Sequence, residues 1–65
     1  MGKTERLYKI QRMLEQKTIV SASALMEALE VSRATFRRDL DYLRDRLGVP
    51  VVWDADERGY RLEPS

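Results

Sequence analysis

Phe36, Leu40, Leu43 and Leu47 constrain the fold of this chain more than any other feature. With Arg33 at 0°, they fall at about 300°, 340°, 280° and 320°, one narrow apolar stripe that a helix must turn toward a core. Ser32 stands just before this segment and makes a good N-cap, its hydroxyl able to accept the backbone N–H of residue 34 or 35. The spacing predicts a helix over 33–47. Ala34, Arg38, Asp41 and Asp45 point the opposite way, and Arg33, Arg37 and Arg44 line one flank of the stripe. The outward surface is cationic over its first turns and acidic over its last.

Upstream, Thr4 can cap a first helix running to about Gln16, with Leu7, Ile10, Met13 and Leu14 at helical spacing and Lys9 and Arg12 on a solvated side. Ile19 and Val20 are β-branched and read as a very short strand leading through Ser21 into a second capped helix, about Ala22 to Glu30. That helix offers Leu25, Met26 and Leu29 to the core. Ala22, Ser23 and Ala24 at its start are small enough to let another helix or a DNA backbone approach. Only Glu30, Val31 and Ser32 separate it from the third helix, the tight connection of a helix-turn-helix, with Val31 closing the turn against the core.

Gly48 suits the left-handed end of the third helix, and Pro50 prevents its continuation. Val51, Val52 and Trp53 read as a strand, residues 54–59 as a turn, and Tyr60, Arg61 and Leu62 as the returning strand. The fold class expected is mostly α with a small β-hairpin: a winged helix-turn-helix of three helices and a two- to three-stranded wing, over residues 1–62. Trp53, Tyr60 and Leu62 are expected mainly to cover the core, with base stacking by the two aromatics as the sharper alternative.

Sixty-five residues suffice for one small domain near the lower limit of a core that holds without a staple. Cysteine and histidine are both absent, which removes disulfides and the usual zinc ligands. No cofactor is expected. An enzyme is not expected either, because there is no histidine or cysteine, no glycine-rich phosphate loop, and the carboxylates fall on exposed helix or turn positions. The chain lacks an apolar run of about 18 residues and a signal-peptide core, so a cytoplasmic protein is the expectation.

Net charge is only +1, but its distribution is uneven. Residues 1–46 carry ten Lys and Arg against seven acids, net +3, and residues 47–65 carry two against four, net −2. A nucleic-acid partner would therefore meet a local patch rather than a global field. An arginine-rich first turn behind a serine cap is the design of a recognition helix, which presents its first residues to base edges. Arginine's planar fork bonds guanine O6 and N7 together, and phosphates accept the same donors without sequence preference. The hairpin tip carries Asp54, Asp56 and Glu57 against Arg58, so Arg58 or Arg61 at most is expected to touch phosphate.

The run Val31-Ser32-Arg33-Ala34-Thr35-Phe36-Arg37-Arg38-Asp39-Leu40, followed by a hairpin ending Arg58-Gly59-Tyr60-Arg61-Leu62, resembles the N-terminal winged helix-turn-helix of bacterial DeoR-type regulators, most closely that of WYL-domain transcription regulators. The similarity covers about residues 5–62 and also rests on Leu25, Leu29, Leu43 and Pro50-Val51. It implies DNA contacts by Ser32, Thr35, Arg37 and Arg38, with Asp39 orienting a neighbouring arginine rather than meeting DNA. It also implies a homodimer and an effector-binding C-terminal region beyond these residues, with Glu63-Pro64-Ser65 as the start of a linker. The chain would then be either a DNA-binding domain taken from a longer protein or a small stand-alone regulator. Two departures matter. Ala34 stands where relatives often carry a basic residue, with Arg33 one step earlier, so sequence preference does not transfer; Phe36 replaces a common β-branched aliphatic.

The leading expectation is sequence-specific double-stranded DNA binding by a bacterial transcription regulator. Arg33, Arg37 and Arg38 would make base or phosphate contacts, Ser32 and Thr35 phosphate contacts, and Ser21 or Ser23 a backbone clamp, with Ala34 on the same DNA-facing surface. A protein-interaction winged helix using the hairpin and the Tyr42 side of the third helix is a second reading, favoured by the acidic wing. A regulatory head of a larger enzyme, of the kind that precedes biotin ligases, is a third.

Overall fold

Helix α1 (Lys3–Gln16) begins one residue before the expected cap. Gly2, not Thr4, is its N-cap and supplies no side-chain bond; the Arg6 amide donates to the Gly2 carbonyl at 3.0 Å. Tertiary anchors favour the earlier start, since Lys3 then lies over the Tyr42 ring, its Nζ 3.8 Å from the centroid. The structure, a computed structural model, describes residues 1–64. Helix α2 (Ala22–Leu29) and helix α3 (Arg33–Asp45) follow, then strands β1 (Val51–Asp54) and β2 (Gly59–Leu62).

The core is the sum of the apolar stripes. Leu7, Ile10 and Leu14 of α1, Leu25 and Leu29 of α2, and Phe36, Leu40 and Leu43 of α3 are all buried, closed from the side by Val20 and Val51. Met13, Met26 and Val31 pack around this centre. Burying each large aliphatic contributes about 1.5–3 kcal/mol, a substantial share in so small a domain.

Leu47 departs from its stripe. It is half exposed, because α3 ends at Asp45 and the amides of Arg46 and Leu47 both donate to the Tyr42 carbonyl, at 2.9 and 3.2 Å. Sharing one carbonyl tightens the last turn and rotates Leu47 away; after left-handed Gly48 (φ 67°), Val49 packs on the core instead. Helix α2 likewise stops at Leu29, with Glu30 already left-handed.

The β-strands form a two-stranded antiparallel sheet in which Val51 faces Leu62 and Trp53 faces Tyr60. The strand expected at Ile19-Val20 is reduced to one bridge, in which the Val20 and Tyr60 amides donate to each other's carbonyls at 2.9 and 2.8 Å. Ser21 turns the chain into α2 before a second pair can form. The hairpin turn is four residues, not six. Arg58 takes the left-handed position (φ 55°), while Gly59 opens β2, where a Cβ would meet Ile19 Cγ2 and, at 3.1 Å, the Val20 carbonyl oxygen. Trp53 does not cover the core. It is half exposed and stacks edge-on against Tyr60, which in turn meets Phe36 edge-on. Glu63, read as linker, is still tied to the hairpin base through its amide to the Pro50 carbonyl at 2.9 Å; Ser65 lies outside the described residues.

Candidate nucleic-acid interface

The turn between α2 and α3 is fixed by backbone geometry at one end and a side chain at the other. Glu30 adopts φ 55° and ψ 46°, the left-handed helix end that usually falls to glycine, and the Val31 amide reaches back to the Met26 carbonyl at 3.3 Å. At the far end Ser32 Oγ accepts the Thr35 amide at 3.3 Å and lies 3.4 Å from Thr35 Oγ1. Ser21 Oγ does the same for α2, accepting the Ala24 amide at 3.1 Å. The oxygens of both serines are thus occupied as caps, and the Ser32 hydroxyl in turn donates to Thr35 Oγ1. Ser23 is exposed one position inside the first turn of α2.

Beyond Ser32 the first turns of α3 present Arg33, Ala34, Arg37 and Arg38 to solvent, with Thr35 partly covered. The partners of the nine arginines separate these from the rest. Arg6 is paired with Asp39, Arg44 with Asp41 and Arg61 with Asp54. Arg12 lies over Tyr8 and Arg46 over Tyr42. Among the described residues, Arg33, Arg37, Arg38 and Arg58 have no such partner. Three of these four stand on the first half of α3. Asp41, four residues after Arg37, pairs with Arg44 at 3.7 Å, consistent with the preference for an acid N-terminal to its base on a helix.

The hairpin contributes less than its composition suggests. Asp54 Oδ1 accepts the amides of Asp56 and Glu57, each at 3.0 Å, and Oδ2 accepts Arg61 Nε at 3.1 Å. The Glu57 amide first, and then the Arg61 guanidinium, hold the Asp54 carboxyl below the usual aspartate value. Arg61 Nε is therefore taken up in shaping the hairpin, whereas Arg58 at the tip stays exposed. Of the three acids, Asp54 is neutralised within the hairpin, while the carboxylates of Asp56 and Glu57 have no ion-pair partner among the described residues.

Two charged residues make contacts between helices that spacing along the chain does not show. Lys9 is not simply solvated: its Nζ donates to the Ala28 carbonyl at 3.1 Å, tying α1 to the end of α2. Asp39 is almost wholly buried, and the arginine it orients is on another helix: Arg6 donates through Nε to Oδ2 at 2.8 Å and through Nη2 to Oδ1 at 3.3 Å. This hydrogen bonding raises the Arg6 pKa further above its ordinary value. A signal was present, since Arg6 precedes Ile10 by four residues and Met13 by seven, on the face of α1 that carries the core.

A family model described as an HTH domain matches residues 6–61. The chain belongs to the HTH domain family. The match spans both α2 and α3 with the turn between them, and runs on through the hairpin. No characterised protein and no solved structure matched the chain. Helix-turn-helix domains bind DNA, and α3 is the second helix of the motif here. Among the described residues no helix is long and apolar enough to cross a membrane, and no three metal-ligating side chains gather.

Proposed function

We propose that this domain binds double-stranded DNA sequence-specifically, as the reading head of a bacterial transcription regulator, with the first half of α3 in the major groove. The observation that carries the reading is the set of three arginines without a partner among the described residues, Arg33, Arg37 and Arg38, on the first turns of the second helix of a helix-turn-helix. For such a cation no ion pair has to be broken when DNA arrives. Arg37 and Arg38 read bases or phosphates, Arg33 and Thr35 contact the flanking backbone, and Ala34 permits close approach. Ser21, Ser23 and Ser32 sit at the helix starts, where free backbone N–H groups add to phosphate binding. Arg58 is the wing's phosphate contact.

The resemblance to WYL-domain and DeoR-type regulators supports a homodimer in a longer protein whose remaining part binds the effector. Selection from a random duplex pool tests the reading. An enriched short sequence is expected, with the discrimination at one position relaxed by about 1–3 kcal/mol in Arg37→Ala or Arg38→Ala. A pool that remains random after selection contradicts sequence-specific binding.

A further inference from the structure

Lys3 and Arg6 of α1 line a single groove with Thr35, Arg38 and Asp39 of α3. The Asp39 side chain is only 3% exposed and that of Arg6 18%. Asp39 takes the Nε and Nη2 edge of the Arg6 guanidinium, so of its five N–H donors the remaining ones on Nη1 and Nη2 are unused among the described residues. Lys3 is steadied over Tyr42, and Arg38 is unpaired among the described residues. The groove therefore holds three cations against one acid, and it shares Thr35 and Arg38 with the exposed start of the recognition helix.

We propose that α1 takes part in DNA binding, with Lys3 and Arg6 forming a seat for backbone phosphate beside Arg38 and with Asp39 as the positioning residue that holds Arg6 there. The inference rests on the duplex-binding reading and adds a second helix to it. A phosphodiester suits this seat because its two free oxygens match the forked donors of arginine, while the neighbouring lysine adds a point charge.

The test is fluorescence anisotropy of the chain with a labelled mixed-sequence duplex over a salt series, since each phosphate contact contributes about 0.9 to the slope of log K against log salt. Lys3→Gln should lower the slope by about 0.9. The double variant Arg6→Met with Asp39→Leu should do the same although net charge is unchanged, which separates a contact from a field effect. Lys17→Gln, at a cation outside the groove, should change neither slope nor affinity more than slightly. Asp39→Asn adds a positive charge, so a rise in slope would show Asp39 to be a mere charge brake and sink its positioning role. Should the double variant not fold, Lys3→Gln still reads the seat with the Arg6–Asp39 pair intact. Unchanged slopes in both, with the wild type bound and the Arg37→Ala, Arg38→Ala variant unbound, overturn the α1 seat alone. A wild type that ignores duplex overturns this inference and the duplex-binding reading together.

Discussion

Glu30 holds a conformation that costs an L-residue roughly 1–2 kcal/mol, and it does so at the turn that aims α3. Glu30→Gly should raise stability by about 0.5–1 kcal/mol in a urea melt, because glycine adopts this conformation without strain but loses more entropy on folding. Gly59 is the converse case. Its backbone is not left-handed, but the approach of Ile19 and Val20 leaves no space for a methyl, so Gly59→Ala should lose about 1–3 kcal/mol in the same measurement. The left-handed position of the hairpin turn falls to Arg58, because Gly59 is already in β2, paired with Asp54. Asp54 contributes a pH dependence. Its carboxyl titrates below the ordinary aspartate value in the folded chain, so its contribution is complete above that value and lost as pH falls through the folded pKa. The melting temperature of wild type should fall more steeply than that of Asp54→Ala as acid is added below the ordinary aspartate range; parallel curves would show that the carboxylate bonds are not retained in solution.

Helix α3 joins the core to the proposed interface, and the two faces should separate on mutation. Leu40→Ala should cost about 2–5 kcal/mol in a denaturant melt, enough to unfold much of so small a domain. Ser32→Ala removes the cap and should cost about 0.5–2 kcal/mol. The elements themselves were legible, because α1, α2 and α3 each bury a stripe written at three- and four-residue spacing. Their ends were less so. Extending the stripe to Leu47 assumed a helix that outlasts Asp45, and a cap at Thr4 assumed that local hydrogen bonding outweighs the Lys3 and Arg6 contacts with α3. The arginine surface of α3 was readable from periodicity, but which arginines are free was not, since that depends on pairs such as Arg6–Asp39 and Arg61–Asp54 made across elements or within the hairpin.

At the scale of the molecule, three helices and a hairpin enclose one core and bring Arg33, Arg37 and Arg38 to the surface beside the α1 groove. A single module of this kind covers about 600–1,000 Å² on DNA, roughly an eighth to a fifth of the domain's 4616 Å² surface. One copy should therefore bind modestly, and a symmetric pair in a longer regulator more tightly. The central claim is that the first half of α3 engages duplex DNA, and binding of wild type and the Arg37→Ala, Arg38→Ala variant to labelled duplex at low salt tests it most directly. The account predicts salt-sensitive duplex binding by wild type and its loss in a variant that melts at the wild-type temperature. Equal binding by the two proteins, or preference for single strands through exposed Trp53, would contradict it.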